Sequence, residues 1–313
     1  MKKYCFGIDV GGTTIKCGLF TVEGVLLEKW EIKTRTKDNG ANVLPDIAAT
    51  VLAKMGEKGI EADSVSGIGI GVPGPVNENG CLPYAVNLHW GFKDIEGELG
   101  EMTGLSVKAA NDANIAALGE MWKGGGAGSR NMILVTLGTG VGGGIIIDGK
   151  ILPGYHGAAG EIGHAFVAPK IKDPCNCGNC GCLEQVASAT GIARLAKEEL
   201  ENSDEDSLLR GKPDLDAKKV FDAVKEGDAL AIRVAEEFGG YLGTALSIFA
   251  EVTDPQVIVI GGGVSKAGPI ILDYIAKNYR KHAFPALRET DFELAILGND
   301  AGIYGGAKMV ADL

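Results

Sequence analysis

The sequence predicts an α/β fold built from two related lobes. Residues 132–152, MILVTLGTGVGGGIIIDGKIL, follow the same pattern as residues 5–27, CFGIDVGGTTIKCGLFTVEGVLL. Each segment has an apolar strand, a turn of Gly and Thr, a second strand, a hairpin turn and a third strand, and such self-similarity indicates a duplicated structural unit. Strands and amphipathic helices also alternate along the chain, which is typical of α/β domains. We therefore expect two lobes, each directing a glycine turn at one shared cleft.

The first lobe begins with three consecutive strands. An apolar run at 4–10 predicts a buried strand, and strands at 15–20 and 25–34 follow after glycine-containing turns. Hydrophobic spacing then predicts a helix at about 41–58, strands at 66–71 and 106–110, and a helix that starts within NDANIAALGEMW.

The second lobe repeats the three strands over 132–152 and continues with helices. ATGIARLAKEELEN has a helical pattern, and the segment 228–252 has apolar residues at helical spacing: Val234, Phe238, Leu242, Leu246 and Phe249. A strand at 257–260, a helix from the next glycine turn to about 281, a strand at 293–297 and a helix from about 301 complete the lobe. A crossover near 110–115 predicts one domain of 1–112 plus 299–313 and another of 113–298.

Composition excludes several classes of protein. The formal net charge is −11, whereas proteins that bind nucleic acid or membrane surfaces usually carry basic patches. No run approaches the roughly 20 apolar residues that span a bilayer, and the first residues lack the apolar core of a signal peptide. We therefore expect a cytoplasmic protein with no nucleic-acid or membrane partner, in which a cysteine cluster is more often a metal site than a set of disulfides.

Two nucleotide-binding patterns occur by coincidence. GTGVGG at 138–143 matches the dinucleotide fingerprint, but that fingerprint requires a following helix and here a strand, IIIDGKIL, follows. GIIIDGKI at 144–151 resembles a P-loop, but Ile151 occupies the position where a hydroxyl must bind magnesium. The second pattern is better explained as a hairpin turn.

Three glycine turns at strand ends are candidates for phosphate or nucleoside binding. Their backbone N–H groups and threonine hydroxyls can hold phosphate oxygens, although each turn alone could be an ordinary tight β-turn. Duplication of the first two turns favours phosphate binding, and the third would suit the flat face of a nucleoside. The candidate residues are Asp9, Gly11, Gly12, Thr13, Thr14, Lys16, Gly138, Thr139, Gly140, Gly261, Gly262 and Gly263.

Six segments in this order resemble the ROK family of sugar kinases and sugar-responsive repressors. They are GIDVGGTTIK, GIGVPGPVN, NDANIAALGE, LGTGVGGGI, GEIGH and CNCGNCGCLE. The resemblance covers nearly the whole chain and implies an actin/hexokinase-like fold, with two ribonuclease-H-like lobes closing over sugar and ATP. It also implies magnesium as a cofactor and a homodimer or homotetramer. Repressors of the family have a helix-turn-helix domain ahead of the first phosphate motif, and none is expected in the eight residues before Asp9.

The resemblance makes Asp112 the expected general base for phosphoryl transfer. A carboxylate beside the attacking hydroxyl can accept its proton as the O–P bond forms. Asp112 could instead be only the N-cap of the helix that follows, and the two roles are compatible. Asp9 is the alternative base, although its glycine turn favours a role in ordering phosphate or magnesium.

The resemblance also implies a set of sugar-binding residues. These are Gly74 in the VPGP loop, which would act through its backbone, and the side chains of Asn87, Asn111, Asp112, Glu161, His164 and Glu184. Polar pairing of this kind makes sugar recognition sharp, because a buried polar group left unmatched is costly.

Four of the seven cysteines lie within 175–182 and predict a structural zinc site. By spacing alone, Cys175, Cys177, Cys180 and Cys182 could form a four-thiolate site. The family pattern instead implies His164, Cys175, Cys177 and Cys182 as ligands, and one imidazole nitrogen of His164 would then bind zinc while the other faces the sugar.

Together these features predict an ATP-dependent hexose kinase, a phosphotransferase acting on an alcohol group. Glucose is the favoured substrate, with glucose 6-phosphate as the product. Kinases of fructose, N-acetylmannosamine, N-acetylglucosamine or allose are the alternatives within the family. A sugar-sensing regulator without catalytic activity is the alternative from another class.

Overall fold

The computed structural model describes residues 2–313 of the chain. Its strands, in chain order, are β1 Tyr4–Val10, β2 Thr14–Thr21, β3 Leu26–Lys33, β4 Val65–Val72, β5 Cys81–Leu82, β6 Lys93–Asp94, β7 Val107–Asn111, β8 Met132–Leu137, β9 Val141–Ile147, β10 Lys150–Ile151, β11 Val257–Gly261 and β12 Asp291–Leu294. Its helices are α1 Lys37–Gly40, α2 Val43–Lys58, α3 Ile95–Thr103, α4 Asp112–Lys123, α5 Glu184–Ala187, α6 Ala189–Asn202, α7 Ala217–Lys225, α8 Ala229–Thr253, α9 Ile270–His282 and α10 Ala301–Ala311.

The first compact unit comprises the chain up to Arg130, Gly144–Gly160 and Leu297–Leu313. Its main sheet has the order β3-β2-β1-β4-β7, in which β1 to β3 form an antiparallel meander and β4 and β7 run parallel to β1. A core that includes Phe6, Ile8 and Ile70 lies between this sheet and helix α2. This unit extends past residue 112 because α4 packs closely on α10. The domain boundaries that we expect from the sequence, 1–112 plus 299–313 and 113–298, stay a prediction.

The second compact unit comprises Asn131–Gly143 and Glu161–Ile296. The second sheet has the order β10-β9-β8-β11-β12, and β8, β11 and β12 run parallel. Because the turn from β8 to β9 is too short to join parallel neighbours, these two strands run antiparallel. The second sheet therefore has the same strand order and the same pattern of strand directions as the first, as the sequence repeat predicts. Helices α6 to α9 pack around a core that includes Phe221, Phe238 and Tyr279.

Within the first unit, helix α10 packs so closely that its backbone nearly touches the backbones of β4 and α4. A Cβ atom on Gly69 of β4 would lie 1.7 Å from the carbonyl oxygen of Gly306, and one on Gly305 would lie 1.6 Å from that of Ile115 in α4. Only glycine permits such approaches. The close packing fixes α4 and β4 against one helix, and so positions the residues at their ends.

The structure corrects three sequence expectations. The strand predicted at 293–297 is β12, Asp291–Leu294, because its parallel partner β11 ends at Gly261. The helix expected directly after the third glycine turn is interrupted: a short 3₁₀ helix at Val264–Ala267 comes first and α9 begins at Ile270, because Gly268 adopts a φ of +88° and Pro269 follows it. Helices α3 and α7 were not predicted. Across residues 2–313, no helix combines the length and apolar character required to cross a membrane.

Candidate active site and metal centre

Three parallel strands of the first unit end side by side and bring the predicted acidic residues to one sheet edge. Asp9 on β1 pairs with Gly71 on β4, and Val72 on β4 pairs with Asn111 on β7. The carboxyl ends of parallel strands are where open α/β sheets bind ligands. The first glycine turn, the VPGP loop and the Asn111–Asp112 pair therefore meet at this edge.

Asn111, and not Asp112, is the N-cap of α4. Its Oδ1 accepts hydrogen bonds from the backbone N–H groups of Ala113 at 2.9 Å and Asn114 at 3.2 Å, which corrects the expectation that Asp112 caps the helix. Asn111 Nδ2 also donates to the carbonyl oxygen of Gly74 at 3.2 Å. The carboxylate of Asp112, the first helical residue, accepts from the N–H of Ala113 at 2.8 Å. The cap thus holds the VPGP loop beside the expected base.

Gly74 has a backbone that other residues adopt poorly. Its φ is +136°, and a Cβ would lie 3.0 Å from the carbonyl oxygen of Tyr84. Glycine therefore allows the loop to turn at this point.

Asp9 lies in a mostly buried position close to Asp112. Burial is the main cause that raises the pKa of Asp9 to about 6, Lys16 opposes the rise and the charge of Asp112 adds to it. The carboxylate also packs against Gly302 at the start of α10, where a Cβ would come within 2.7 Å of its Cγ. Asp9 is thus an acidic group whose ionisation is sensitive to nearby charge.

The first glycine turn leaves its backbone accessible. Gly11, Gly12 and Thr13 are exposed and Thr14 is half-buried. The turn is closed by the N–H of Gly11, which donates to the carbonyl oxygen of Thr14 at 3.0 Å. The turn is therefore preformed and open to a ligand.

Two side chains flank this turn. Lys16 Nζ donates to the carbonyl oxygen of Asn299 at 3.0 Å. Asn87 is exposed and lies near Gly12, since a Cβ on Gly12 would be 3.8 Å from its Cβ. Asn87 is therefore placed beside the first turn.

The other two glycine turns lie next to each other in the second unit. Thr136 on β8 pairs with Gly261 on β11, so the turns that follow these strands are neighbours. Gly262 has a φ of +84°, and a Cβ there would lie 2.5 Å from the carbonyl oxygen of Leu137. Strand β9 follows the 138–140 turn, which confirms that the helix of a dinucleotide site is missing.

The 138–140 turn is fastened to the start of α6. The N–H of Ala189 donates to the carbonyl oxygen of Gly138 at 2.8 Å, and Thr190 Oγ1 donates to that of Thr139 at 3.0 Å. Sequence reasoning did not identify these two residues, because a support of this kind gives no motif.

A cavity of about 330 Å³ adjoins the third glycine turn. Among its lining residues are Gly263 and Val264 after β11, Ala189 of α6, and Phe221 of α7. The mixture of apolar walls and a glycine turn suits a flat ring. Sequence reasoning missed the α7 side of this cavity because it missed the helix.

The predicted metal ligands of the second unit lie together. One ligand atom each from His164, Cys175, Cys177 and Cys182 falls within 4.8 Å of the others. His164 Nδ1 is 3.6 Å from Cys175 Sγ, and the sulfurs of Cys177 and Cys182 are also 3.6 Å apart. Ligands at about 2.3 Å from a tetrahedral zinc are separated by about 3.8 Å, so the donor set fits that ion.

Cys180 is turned away from this cluster. Its Sγ donates to the carbonyl oxygen of Lys172 at 3.2 Å. The group of candidate ligands among residues 2–313 therefore contains His164 in place of Cys180. All seven cysteines are free thiols.

Glu184 and Glu161 flank the two sides of the His164 ring. Glu184 Oε1 accepts from Cys175 Sγ at 2.9 Å and lies 3.8 Å from His164 Nδ1. The exposed Glu161 has its Oε2 3.9 Å from His164 Nε2. Nδ1 thus faces the thiols, and Nε2 faces the side where Glu161 is accessible.

The chain matches known sugar kinases over nearly its full length. A model described as the ROK family matches residues 5–312. A glucokinase of Halalkalibacterium halodurans is 46% identical over 313 residues, covering 98% of this chain and 95% of the relative. A glucokinase of Thermotoga maritima is 35% identical over 317 residues, covering 99% and 98%.

A solved structure agrees with these relatives. The ROK family glucokinase from Streptomyces griseus, in complex with glucose and AMPPNP, has a TM-score of 0.74 and 33% identity, and the match covers 99% of this chain and 100% of that one. The geometry of the strand ends and the extent of these matches lead to one conclusion: the chain belongs to the ROK family.

Proposed function

We propose that this protein is an ATP-dependent glucokinase, which transfers the γ-phosphoryl group of ATP to D-glucose and releases ADP and D-glucose 6-phosphate. The observation that carries the proposal is the 46% identity to a named glucokinase over 98% of the chain. The placement of Asp112 beside Asp9 and the first glycine turn supports the same chemistry.

Asp112 is the proposed general base. As the sugar hydroxyl oxygen bonds to the γ-phosphorus, its proton passes to the Asp112 carboxylate, and the bond from the γ-phosphorus to the bridging oxygen of ADP breaks. The position of Asp112 as first residue of α4 supports this role, because the cap and the close packing of α10 fix that end of the helix. Positioning of this kind supplies much of the catalysis in phosphoryl transfer.

The glycine turns are the proposed phosphate-binding elements. Residues 11–14 with Lys16, and residues 138–140, would hold the phosphates through backbone N–H groups and hydroxyls, and 261–263 would receive the nucleoside. Magnesium bound with ATP would offset the negative charge that develops on the phosphates. Asp9 is the proposed residue for ordering it, since a cation nearby would favour the ionised carboxylate.

The proposed sugar contacts come from six residues. They are Asn87, Asn111 and the backbone of Gly74, together with Glu161, His164 and Glu184. Their carboxylate, amide and imidazole groups are suited to a ring of hydroxyls.

A structural zinc ion is proposed at His164 Nδ1, Cys175, Cys177 and Cys182. A three-cysteine, one-histidine set is typical of closed structural sites, and the separations of these atoms support it. Zinc at Nδ1 would fix the ring orientation and leave Nε2 to face the sugar.

An assay across hexoses tests the function. We expect ATP-coupled turnover with glucose at a higher kcat/KM than with fructose, N-acetylmannosamine, N-acetylglucosamine or allose. Asp112→Asn should lower kcat by about a thousandfold or more while glucose binding, measured by calorimetry, is retained. Preference for another hexose would reassign the substrate, and sugar binding without turnover in the unaltered chain would indicate a regulator.

Two further expectations belong to the same proposal. The family resemblance implies a homodimer or homotetramer, which light scattering on the purified chain would measure. Action in the cytoplasm, which we expect from the sequence, is part of the same proposal.

A further inference from the structure

We infer that Gly140 is a positioning residue for the sugar-binding carboxylate of Glu184, in addition to its place in a phosphate-binding turn. The inference rests on the proposed sugar-binding role of Glu184. It assigns to one glycine of the turn an effect on the acceptor sugar.

The missing side chain of Gly140 makes room for Glu184. A Cβ on Gly140 would lie 2.5 Å from Glu184 Oε2 and 3.6 Å from its Cδ. The first distance is well inside van der Waals contact, so one of the two groups would have to move.

The Glu184 carboxylate also has close neighbours on its other side. Oε1 lies 2.9 Å from Cys175 Sγ and 3.8 Å from His164 Nδ1, two of the proposed zinc ligands, and only 16% of the Glu184 side chain is exposed. A displaced Oε2 would therefore turn or shift the carboxylate away from its present orientation.

The turn itself is fastened in place. Its carbonyl oxygens at Gly138 and Thr139 accept from Ala189 and Thr190, and its ends are joined by the Gly138 N–H, which donates to the carbonyl oxygen of Gly140 at 3.0 Å. Glu184 and these two partners lie on the continuous segment α5 to α6. The turn cannot move away without disturbing the same segment, so we expect the Glu184 carboxylate to move instead.

Gly138 provides a matched control within the turn. A Cβ on Gly138 would meet no atom within 4 Å. Neither Gly138 nor Gly140 has a positive φ, so alanine fits the backbone at both positions. The two substitutions thus differ in whether they press on Glu184.

The decisive measurement is glucose affinity without nucleotide. We expect Gly140→Ala to weaken glucose binding by about ten- to a hundredfold in calorimetry, because a misaligned hydrogen bond to a charged carboxylate has an effect of that size on affinity. Gly138→Ala should leave the glucose Kd within about twofold. In turnover assays the rise in the glucose KM should exceed the rise in the ATP KM for Gly140→Ala and not for Gly138→Ala.

A second pair of variants distinguishes displacement of the Glu184 carboxylate from a general loss of structure. Glu184→Asp shortens the side chain by one methylene and withdraws the carboxylate from position 140. In that background, adding Gly140→Ala should cause little further loss of glucose affinity, so the two substitutions are non-additive. Circular dichroism and metal content should match those of the unaltered chain.

Equal glucose affinity for Gly140→Ala and the unaltered chain would overturn the inference, as would additive losses in the double variant or loss of metal from Gly140→Ala. Because the binding assay needs no turnover, it can fail while the kinase activity is found. Conversely, absence of activity in the hexose assay would leave the coupling between positions 140 and 184 measurable.

Discussion

At the scale of single residues, Asp9 combines burial with a charge that the fold disfavours. Its pKa of about 6 lies above the ordinary value of 3.8, chiefly through burial. The folded state therefore binds the proton more tightly than the unfolded chain does. The contribution of Asp9 to stability is favourable when it is protonated, and is lost as the pH rises from about 4 to about 6.

Asp9→Asn is accordingly expected to stabilise the protein at high pH, without nucleotide or magnesium. The substitution should raise the free energy of unfolding near pH 8 by about 1 to 3 kcal/mol more than it does near pH 5. Denaturant titrations at the two pH values measure this difference, with Asp206→Asn at an exposed carboxylate as the control. An equal change at both pH values would show that the buried charge is not the cause.

The two neighbouring cysteines Cys177 and Cys180 provide a test of the metal site. Cys177→Ser removes a proposed ligand and should lower the metal content from about one zinc per chain, reduce thermal stability and raise the glucose Kd about tenfold or more. Cys180→Ser should retain the metal, because its sulfur points to the Lys172 carbonyl. Mass spectrometry of the bound metal measures both. Loss of zinc from Cys180→Ser alone would favour the four-thiolate site.

The roles of single residues could not be predicted from the sequence where they depend on contacts that form only in the folded chain. Asn and Asp are both good helix caps, so the sequence NDAN did not show that Asn111 caps α4 and Asp112 does not. The cysteine spacing allowed Cys180 as a ligand, and only the folded loop shows its sulfur directed elsewhere. The contact of Gly140 with Glu184 joins residues far apart in the chain, which no local pattern records.

At the scale of elements, the docking of α10 on α4 depends on Gly305. An added Cβ would collide with the backbone carbonyl of Ile115, which cannot rotate away as a side chain could. Gly305→Ala should therefore lower the free energy of unfolding by about 3 kcal/mol and reduce kcat, since α4 begins with Asp112.

A second helix glycine gives the matched control. Gly56 in α2 is exposed, and an added Cβ would meet no atom within 4 Å. Gly56→Ala should raise the free energy of unfolding by about 0.5 to 1 kcal/mol, because alanine has the higher helix propensity. Denaturant unfolding and steady-state kinetics of both variants are the measurements. Similar effects of the two substitutions would contradict the role of close packing.

Elements with strong periodicity were predicted and weaker ones were missed. The β1 to β3 meander and helix α8 agree with expectation, since their apolar patterns are long and regular. Helix α3, IEGELGEMT, contains two glycines and few apolar residues. Helix α7 is only nine residues long, although Val220, Phe221 and Val224 have helical spacing that could have identified it.

At the scale of the whole molecule, the internal repeat was the most informative feature of the sequence. It predicted a duplicated α/β fold, and the two sheets have the same strand order. The ROK family match and the structural neighbours confirm the actin/hexokinase-like class. The repeat was visible because glycine turns and apolar strands leave a clear pattern, whereas packing between helices leaves none.

The hydrogen bonds of Asn111 also fix a direction for any hydroxyl that contacts it. Both acceptor sites of Oδ1 are occupied by backbone N–H groups, and one Nδ2 hydrogen is given to Gly74. The remaining amide hydrogen can only donate. A sugar hydroxyl bound there must accept it, and its own hydrogen is then left to point elsewhere, with the Asp112 carboxylate as the next residue along the chain. The capping of a helix would thus orient the proton that the proposed base, Asp112, would remove.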